Sequence, residues 1–433
     1  MGSIQHPQSA TTVFLDQPPS CLEFCPEAPD HFIVGTYLLS EKKTEDGEIE
    51  QSKTGSLQLW KLDPVSKTFQ PESEYNILMT KLLTTLRSQI QRIAVPYAVF
   101  DLHFHPRQKN LFAIASSVGS VSLFQVSTTT GDASATPSVT QLWTKQVHED
   151  PSIPALFLAW APQNWFPKPA ADGFAVTFSD SRTAVFGTEG DIRQESIEEW
   201  GTYEAKQMIE VWFVALSTSA GNPDVETQTP SAVATPFMFT GNDFGSLHTR
   251  RFDNTAELDD PDEHVSPMLL EHDDRARHHT AGVTSILPLD VPLVDDAPVL
   301  LTGCYDESIR VYHATRRGEV LAEQGLDGGV WRLQLLNTTR IPGSDDSSNV
   351  SEYRFLVLAS CMHAGTRLVR VTCKHEDGAS NWGIEVLAKF TEHESMNYAS
   401  GVWVGGQETT RSEVLCVSSS FYDRRLCVWT VDL

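Results

Sequence analysis

One pattern recurs through the chain: an apolar run, a tight polar turn, then a short strand of alternating side chains. The alternating member reads GSLQLW at 55–60, GSVSLF at 119–124, SRTAVF at 181–186, GSLHTR at 245–250, ESIRVY at 307–312, GTRLVR at 365–370 and RRLCVW at 424–429. Successive starts lie 64, 62, 64, 62, 58 and 59 residues apart. So even a period marks a repeat architecture, in which each unit buries its apolar face against its neighbours. The run before the turn (LFAIASS, FAVTFSD, VLLTGCYD, FLVLASC, VLCVSSSF) is short and apolar and reads as a buried strand. A third run lies upstream in several units: CLEFCP, VFDLHFHP, ALFLAWAP, GVTSILPL and GVWRLQLL. Three strands with a weaker outer fourth describe a propeller blade. The expected fold is all-β, one seven-bladed WD-repeat β-propeller over residues 1–433 with no separate second domain. TTVFLD at 11–16 would supply the outer strand of the last blade and cover an otherwise open sheet edge.

The period exceeds the ~40–45 residues of a lean repeat of this kind. The surplus falls in polar or acidic segments at 40–55, 127–138, 217–236, 253–267 and 341–352, which carry no hydrophobic period and read as long solvated loop insertions. Residues 75–92 leave two readings open: a helix, or an outer strand followed by a short helix.

Charge narrows the function classes. The net charge is −25, so the whole-chain basic footprint of a nucleic-acid or anionic-lipid binder is missing. No apolar run reaches the ~18 residues of a membrane span. The first residues, MGSIQHPQSATT, lack the apolar core of a secretory signal. Seven cysteines, an odd number without a C-x-x-C pair, suggest reduced thiols in a cytosolic or nuclear protein, and the cytoplasm is the expected setting. A monomer without cofactor or metal is expected.

Several motifs have both a structural and a chemical reading. His279 lies in HTAGVTSI, ahead of LLTGCYDESIRVY, and in such repeats a loop His and a turn Asp, here Asp306, hydrogen-bond within a blade. Asp180, Asp243 and Asp423 occupy comparable turns. HFH at 103–105 has ligand-like alternation, although a structural loop histidine explains it more simply. Signatures of α/β-hydrolases, zinc proteases and nucleotide-binding loops are missing. Less generic are LASCMHAGTRLVR with His363, TEHESMNYASGVW with His393, Ser395 and Tyr398, and SSSFYDRRLCVW with Tyr422 and Asp423. The repeat geometry predicts that His363, His393, Ser395 and Tyr422 converge on one face near blades six and seven.

CLEFCP with VGTYLL, GSLQLWKL, FDLHFHP with AIASSVGSVSLFQV, TGCYDESIRVY, GGVWRLQL, CMHAG and SFYD, taken in order, resemble the diphthine methylesterases, WD-repeat enzymes of diphthamide biosynthesis. The resemblance covers most of the chain, with gaps at the acidic insertions. It implies hydrolysis of the methyl ester of a methylated diphthine intermediate on elongation factor 2, yielding diphthine for amidation. That chemistry needs an activated nucleophile or water, and donors for the oxyanion. His363 and His393 are the candidate bases, and Ser395, Cys361 or a water the candidate nucleophile. The trimethylammonium group of the substrate calls for aromatic faces and carboxylates. Tyr305, Trp331, Trp403 and Tyr422, with Asp306 and Asp423, are the candidates for binding it. A non-catalytic WD-repeat scaffold for protein–protein interaction is the alternative, and the fold alone cannot choose between them.

Overall fold

The structure, a computed structural model, describes residues 3–43, 49–69, 89–127, 137–219, 234–254, 263–343, 350–376, 379–405 and 413–433. The alternating segments found in the sequence are the third strands of seven antiparallel sheets, and these sheets are the blades of a seven-bladed β-propeller.

The chain divides into two compact units. One holds blades three to six. Blade three comprises β12 (Ala155–Trp160), β13 (Asp172–Phe178), β14 (Arg182–Thr188) and β15 (Glu198–Glu204), and blade four β16 (Val211–Ser219), β17 (Thr235–Asn242), β18 (Leu247–Phe252) and β19 (Met268–Asp273). Blade five comprises β20 (Val283–Pro288), β21 (Val299–Cys304), β22 (Ser308–His313) and β23 (Glu319–Gly325), and blade six β24 (Arg332–Pro342), β25 (Val350–Ser360), β26 (Thr366–Glu376) and β27 (Ala379–Phe390). Phe157, Trp165, Val214, Phe237, Phe239 and Leu300 are among the buried residues of one core cluster here.

The other unit holds blades one, two and seven. In blade one, β2 (Pro19–Phe24), β3 (His31–Thr36), the long β5 (Ile49–Asp63) and β7 (Gln89–Val95) lie side by side, with β4 (Leu38–Lys43) and β6 (Thr68–Phe69) also paired to β5. Blade two is β8 (Val99–Phe104), β9 (Leu111–Ser116), β10 (Ser120–Ser127) and β11 (Ser138–Gln146). Blade seven is β28 (Ala399–Val402), β29 (Glu413–Ser419), β30 (Arg425–Asp432) and β1 (Ser9–Phe14). The N-terminal β1 pairs antiparallel with β30, so residues near the start of the chain cover the edge of its final strand.

The turn between second and third strands explains why these sequences punctuate the chain. Gly119, Gly245 and Gly365 have φ of 62°, 92° and 82°, a region open to glycine. Ser181, Glu307 and Arg424 adopt the same left-handed conformation with φ of 80°, 68° and 56°. Each of the three follows an aspartate. Asp180 and Asp306 accept the N–H two residues on, from Arg182 and Ser308, at 3.3 and 3.2 Å. A carboxylate thus holds the turn where glycine is not available.

The insertions are less uniform than their composition suggests. Residues 38–43 and 49–54 pair as a β-ribbon rather than a loop. Its side chains are largely exposed on both faces, so no hydrophobic alternation announces it. β24 and β25 extend into the 341–352 segment as far as Pro342 and from Val350. Of 253–267, the part after the undescribed 255–262 is packed: His264 stacks on Trp200 at 4.5 Å, Ser266 is buried, and Val265 rests on the core. The outer strand of blade one is Gln89–Val95, at the end of the 75–92 segment and not ahead of a helix within it, while 75–88 lie outside the described residues. So do most of 127–138 and 217–236.

The turn argument has a measurable consequence. A Cβ at Gly245 would meet the carbonyl oxygens of Ala281 and His279 at 2.7 Å. Gly245→Ala should therefore cost about 1–3 kcal/mol, whereas Glu307→Gly should be neutral or stabilising, because it relieves a φ that L-residues avoid. Denaturant midpoints of the two variants test the pair; equal losses would contradict it.

Candidate functional site

In blade five, His279 is buried and its Nε2 lies 2.9 Å from Thr302 Oγ1 on the second strand. Tyr312 on the third strand packs against the imidazole and donates its hydroxyl to Asp274 at 3.1 Å. The turn Asp306 is bonded not by the imidazole, as the sequence suggested, but by the next residue. It accepts the N–H of Thr280 at 3.0 Å and its hydroxyl at 3.2 Å. Burial opposes a charge on Asp306, yet hydrogen bonds from Arg310 and Thr280 pull its pKa down to about 2.

Blade seven repeats this arrangement. His393 is buried and its Nε2 lies 2.8 Å from Ser418 Oγ, which also accepts the indole N–H of Trp429 at 2.9 Å. Asp423 accepts the N–H of Glu394 at 3.1 Å and the hydroxyl of Ser395. The Ser395 oxygen in turn accepts the N–H groups of Tyr422 and Asp423 at 2.9 and 3.2 Å. His393 and Ser395, offered by the sequence as base and nucleophile, therefore occupy bracing positions equivalent to His279 and Thr280. Burial lowers the pKa of His393 to about 4 and that of His279 to about 3, so both imidazoles are neutral. Cys361 is fully buried, and desolvation raises its thiol pKa to about 12, which removes it as a thiolate nucleophile.

The same geometry draws the remaining candidates together. Asn397, fully buried, donates its amide to the carbonyls of Ser419 at 2.7 Å and Ala399 at 3.1 Å, and accepts the Thr366 hydroxyl at 3.1 Å. Its backbone N–H bonds the carbonyl of Met362, and the Phe421 N–H bonds that of Met396. Three segments are thereby knitted edge to edge: the Met362–Gly365 turn carrying His363, the stretch 396–398, and the turn at 421–423. His363 is exposed at the tip of its turn.

The segments at 396–398 and 421–423 also carry a row of rings. Phe421 meets Tyr398, Tyr422 and Tyr37 at centroid distances of 5.5, 5.1 and 5.8 Å, and Tyr37 meets Phe100 at 5.4 Å. The contacts are edge-to-face, which leaves ring faces half-exposed. Tyr422 is 70% exposed. Burial, then the neighbouring Tyr422, raises the phenol pKa of Tyr37 and of Tyr398, keeping both as neutral O–H donors. Tyr37, Phe100 and Phe421 lie within VGTYLL, FDLHFHP and SFYD but were not among the candidates read from the sequence, because nothing local says that single aromatics in three distant segments meet.

The other expected aromatics sit differently. Trp403 is buried in the core, its indole N–H spent on Asp30 at 2.7 Å, so it offers no face to a ligand. Tyr305 and Trp331 do meet, forming a triangle with Trp212 at 5.7–6.2 Å, and Asp243 accepts the Trp212 indole N–H. The Arg332 guanidinium already lies 4.6 Å from the Trp331 ring, and also over Phe157 and Phe213. A second cation there would meet like charge. At HFH, the His105 ring accepts the N–H groups of Arg107 and Gln108, a turn-bracing role. His103 sits between Asp101 at 2.9 Å and Glu23 at 3.3 Å. Among the described residues no group of three or more His, Cys, Asp or Glu side chains has metal-holding geometry, and no helix is long and apolar enough to cross a membrane.

Blades with a buried His–Ser/Thr–Trp/Tyr brace define a WD-type propeller, and a solved structure of that fold agrees. Sqt1 of Saccharomyces cerevisiae matches with a TM-score of 0.52 at 12% identity, over 99% of this chain and 100% of that one. Sqt1 of Chaetomium thermophilum, solved bound to the N-terminus of ribosomal protein L10, matches with a TM-score of 0.49 at 12% identity, over 97% of this chain and 99% of that one. A diphthine methyltransferase of Schizosaccharomyces pombe is 30% identical over 151 residues, 35% of this chain and 38% of that protein. The alignment thus spans well under half of the relative, and it points to the family that the ordered motifs resemble. No family model matches the chain.

The buried neutral histidines set a pH dependence. Unfolded imidazoles titrate near ~6.5, above the folded values, so the unfolded chain binds more protons between the two. Their contribution is complete above about pH 6.5 and is lost as pH falls toward 4, the folded value of His393. Denaturant midpoints should therefore decline progressively from about pH 6.5 down to pH 4. A flat profile across that window would contradict the assignment, as would a His393→Ala variant with unchanged melting.

Proposed function

We propose that this chain acts in diphthamide biosynthesis, in the cytoplasm, on elongation factor 2 carrying methylated diphthine, and that it hydrolyses the methyl ester of that intermediate. The observation that carries the reading is the 30% identity over 151 residues to a protein named diphthine methyltransferase, taken beside the motifs found in order along the chain. Hydrolysis rather than transfer is the finer part of the proposal and comes from the resemblance of those motifs.

The geometry of the turns at 362–365 and 421–423 and of the stretch 396–398 supports the reading. His363 is the one candidate base left exposed once His393 is assigned to the brace. An exposed imidazole can take a proton from water as the water attacks the ester carbonyl, then return it to the departing methoxide, so that methanol leaves and the carboxylate remains. The neutral phenols of Tyr37 and Tyr398 supply O–H donors of the kind an oxyanion needs. Phe421 and Tyr422 present faces that attract a trimethylammonium group. Asp423, held ionised by its hydrogen bonds from Ser395 and Glu394 despite partial burial, adds negative charge nearby.

The test is purified chain with elongation factor 2 bearing the methyl ester, scored by mass for loss of one methylene, with no methyl donor added. Hydrolysis is expected. His363→Ala should lower the rate by about 10²–10⁴-fold with unchanged melting, the range for removal of a general base. Tyr422→Ala should mainly raise KM. A wild-type chain that binds the factor without releasing methanol would favour the scaffold reading. Full activity in His363→Ala would move the site elsewhere.

A further inference from the structure

A basic cavity lies at the outer edge of blades four and five and shares no lining residue with the candidates for ester chemistry. It measures about 450 Å³ and is lined by Lys206, Glu271, His272, Asp273, Arg275, Arg277, Arg316 and Arg317. In a chain of net charge −25, five cations around one cavity are a marked local reversal. Glu271, one of the two carboxylates present, is already bonded from behind by Arg250 at 2.8 Å. Among the described residues none of the five cations has an ion-pair partner, in contrast to Arg250, Arg310 and Arg367.

The cavity is held by structure on both sides. Asp273 accepts the N–H of Arg275 at 2.7 Å, and Asp274 those of Ala276 at 3.1 Å and Leu247 at 2.9 Å. These bonds hold Arg275 and Ala276 in the left-handed region, with φ of 58° and 52°, a conformation two successive L-residues rarely share. The opposite wall, the turn at 315–318, is tied to the first: His278 Nε2 bonds the Arg317 carbonyl at 3.2 Å, and His272 Nε2 lies 3.4 Å from that of Ala314. Two strained or tightly closed turns thus present four guanidinium groups to a common space. Strain of this kind persists where the surroundings over-determine it and clusters at ligand sites.

We propose that this cavity binds a small anion carrying two or more phosphoryl groups. Guanidinium forks match tetrahedral oxyanions in bidentate fashion, and several unpartnered ones together select for multiple charges. The volume falls within the ~300–1,000 Å³ of small-molecule sites. The lining contains no aliphatic or aromatic hydrocarbon side chain, so a peptide would find no apolar anchor there.

The experiment is isothermal titration of the full chain with inorganic tripolyphosphate, orthophosphate and a single-stranded RNA oligonucleotide, in about 0.1 M salt where exposed charges are already screened. Tripolyphosphate should bind one to one, about tenfold or more tighter than orthophosphate, and raise the melting temperature. The double variant Arg277→Gln, Arg316→Gln should weaken that binding about tenfold or more, while its own melting stays unchanged because both side chains are exposed. Arg275→Gly provides an independent check, since glycine accepts the left-handed turn and only the charge is lost. Tripolyphosphate binding absent at about 1 mM, or unaltered in both variants, would overturn the proposal. So would RNA binding tighter than tripolyphosphate and lost in the same variants, which would mark the cavity as part of a nucleic-acid surface.

Discussion

A buried, neutral imidazole tied to a hydroxyl on the next strand governs much of what this chain can do. In blades five and seven it fixes the loop leading into the blade against the second strand, while the residue that follows fastens the same loop to the turn aspartate. The arrangement works because the imidazole is uncharged. Desolvation that would penalise a charged ring leaves the neutral one free to exchange a hydrogen bond with Thr302 or Ser418. The same desolvation disqualifies it from catalysis, since a base with a pKa of about 4 holds a proton too weakly to remove one from water near neutrality. Bracing and base chemistry thus compete for histidine, and depth of burial separates them: His393 is 6% exposed, whereas His363 stands on the surface of its turn.

The brace also determines which loops can support a site. Asn397 sits between the loop carrying His393 and the start of β28, and its amide satisfies carbonyls from two strands. An unpaired buried carbonyl costs about 1–3 kcal/mol, so this residue resists any movement of the segments around it. Rigid loops of this sort can hold an exposed His and an array of rings in fixed relation, as site chemistry requires.

Much of the fold was legible because it repeats. Each third strand alternates, each second strand is apolar, and six of the turns carry glycine, or a residue that follows an aspartate, at the left-handed position, so several weak signals agree at one period. The β-ribbon at 38–43 and 49–54 escaped because both of its faces are largely solvated, which erases the alternation that identifies a strand. Residues 263–267 escaped because their packing depends on a partner, Trp200, about sixty positions away. The candidate site was legible only in part. CMHAG and HES stood out as non-generic, but nothing local separates an exposed histidine from a buried one. The brace in blade five supplied that distinction only once Thr280 and Ser395 were seen to bond equivalent aspartates. Charge misled in the opposite direction: a whole-chain balance of −25 hides a cavity whose five cations come from three short segments.

The shape of the proposed active region fits the substrate that the proposal requires. An ester carried on the side chain of a large folded protein arrives with its carrier, whose bulk favours groups that can be reached from outside. It can be met by groups that project from turns. His363 at a turn tip, and Tyr422 with most of its ring in solvent, are placed for that kind of encounter. Water is abundant at such a surface, which suits hydrolysis and works against transfer of an activated group, because transfer needs water excluded. Two demands remain, orientation of the ester and stabilisation of charge as it develops on oxygen. Ring faces can hold the cationic end of the substrate by an attraction that does not require deep burial, and neutral phenols beside them can donate to the oxyanion. A surface built from aromatic rings, one exposed imidazole and well-held turns is therefore sufficient for a reactive ester, although the same surface would be poorly equipped for an amide.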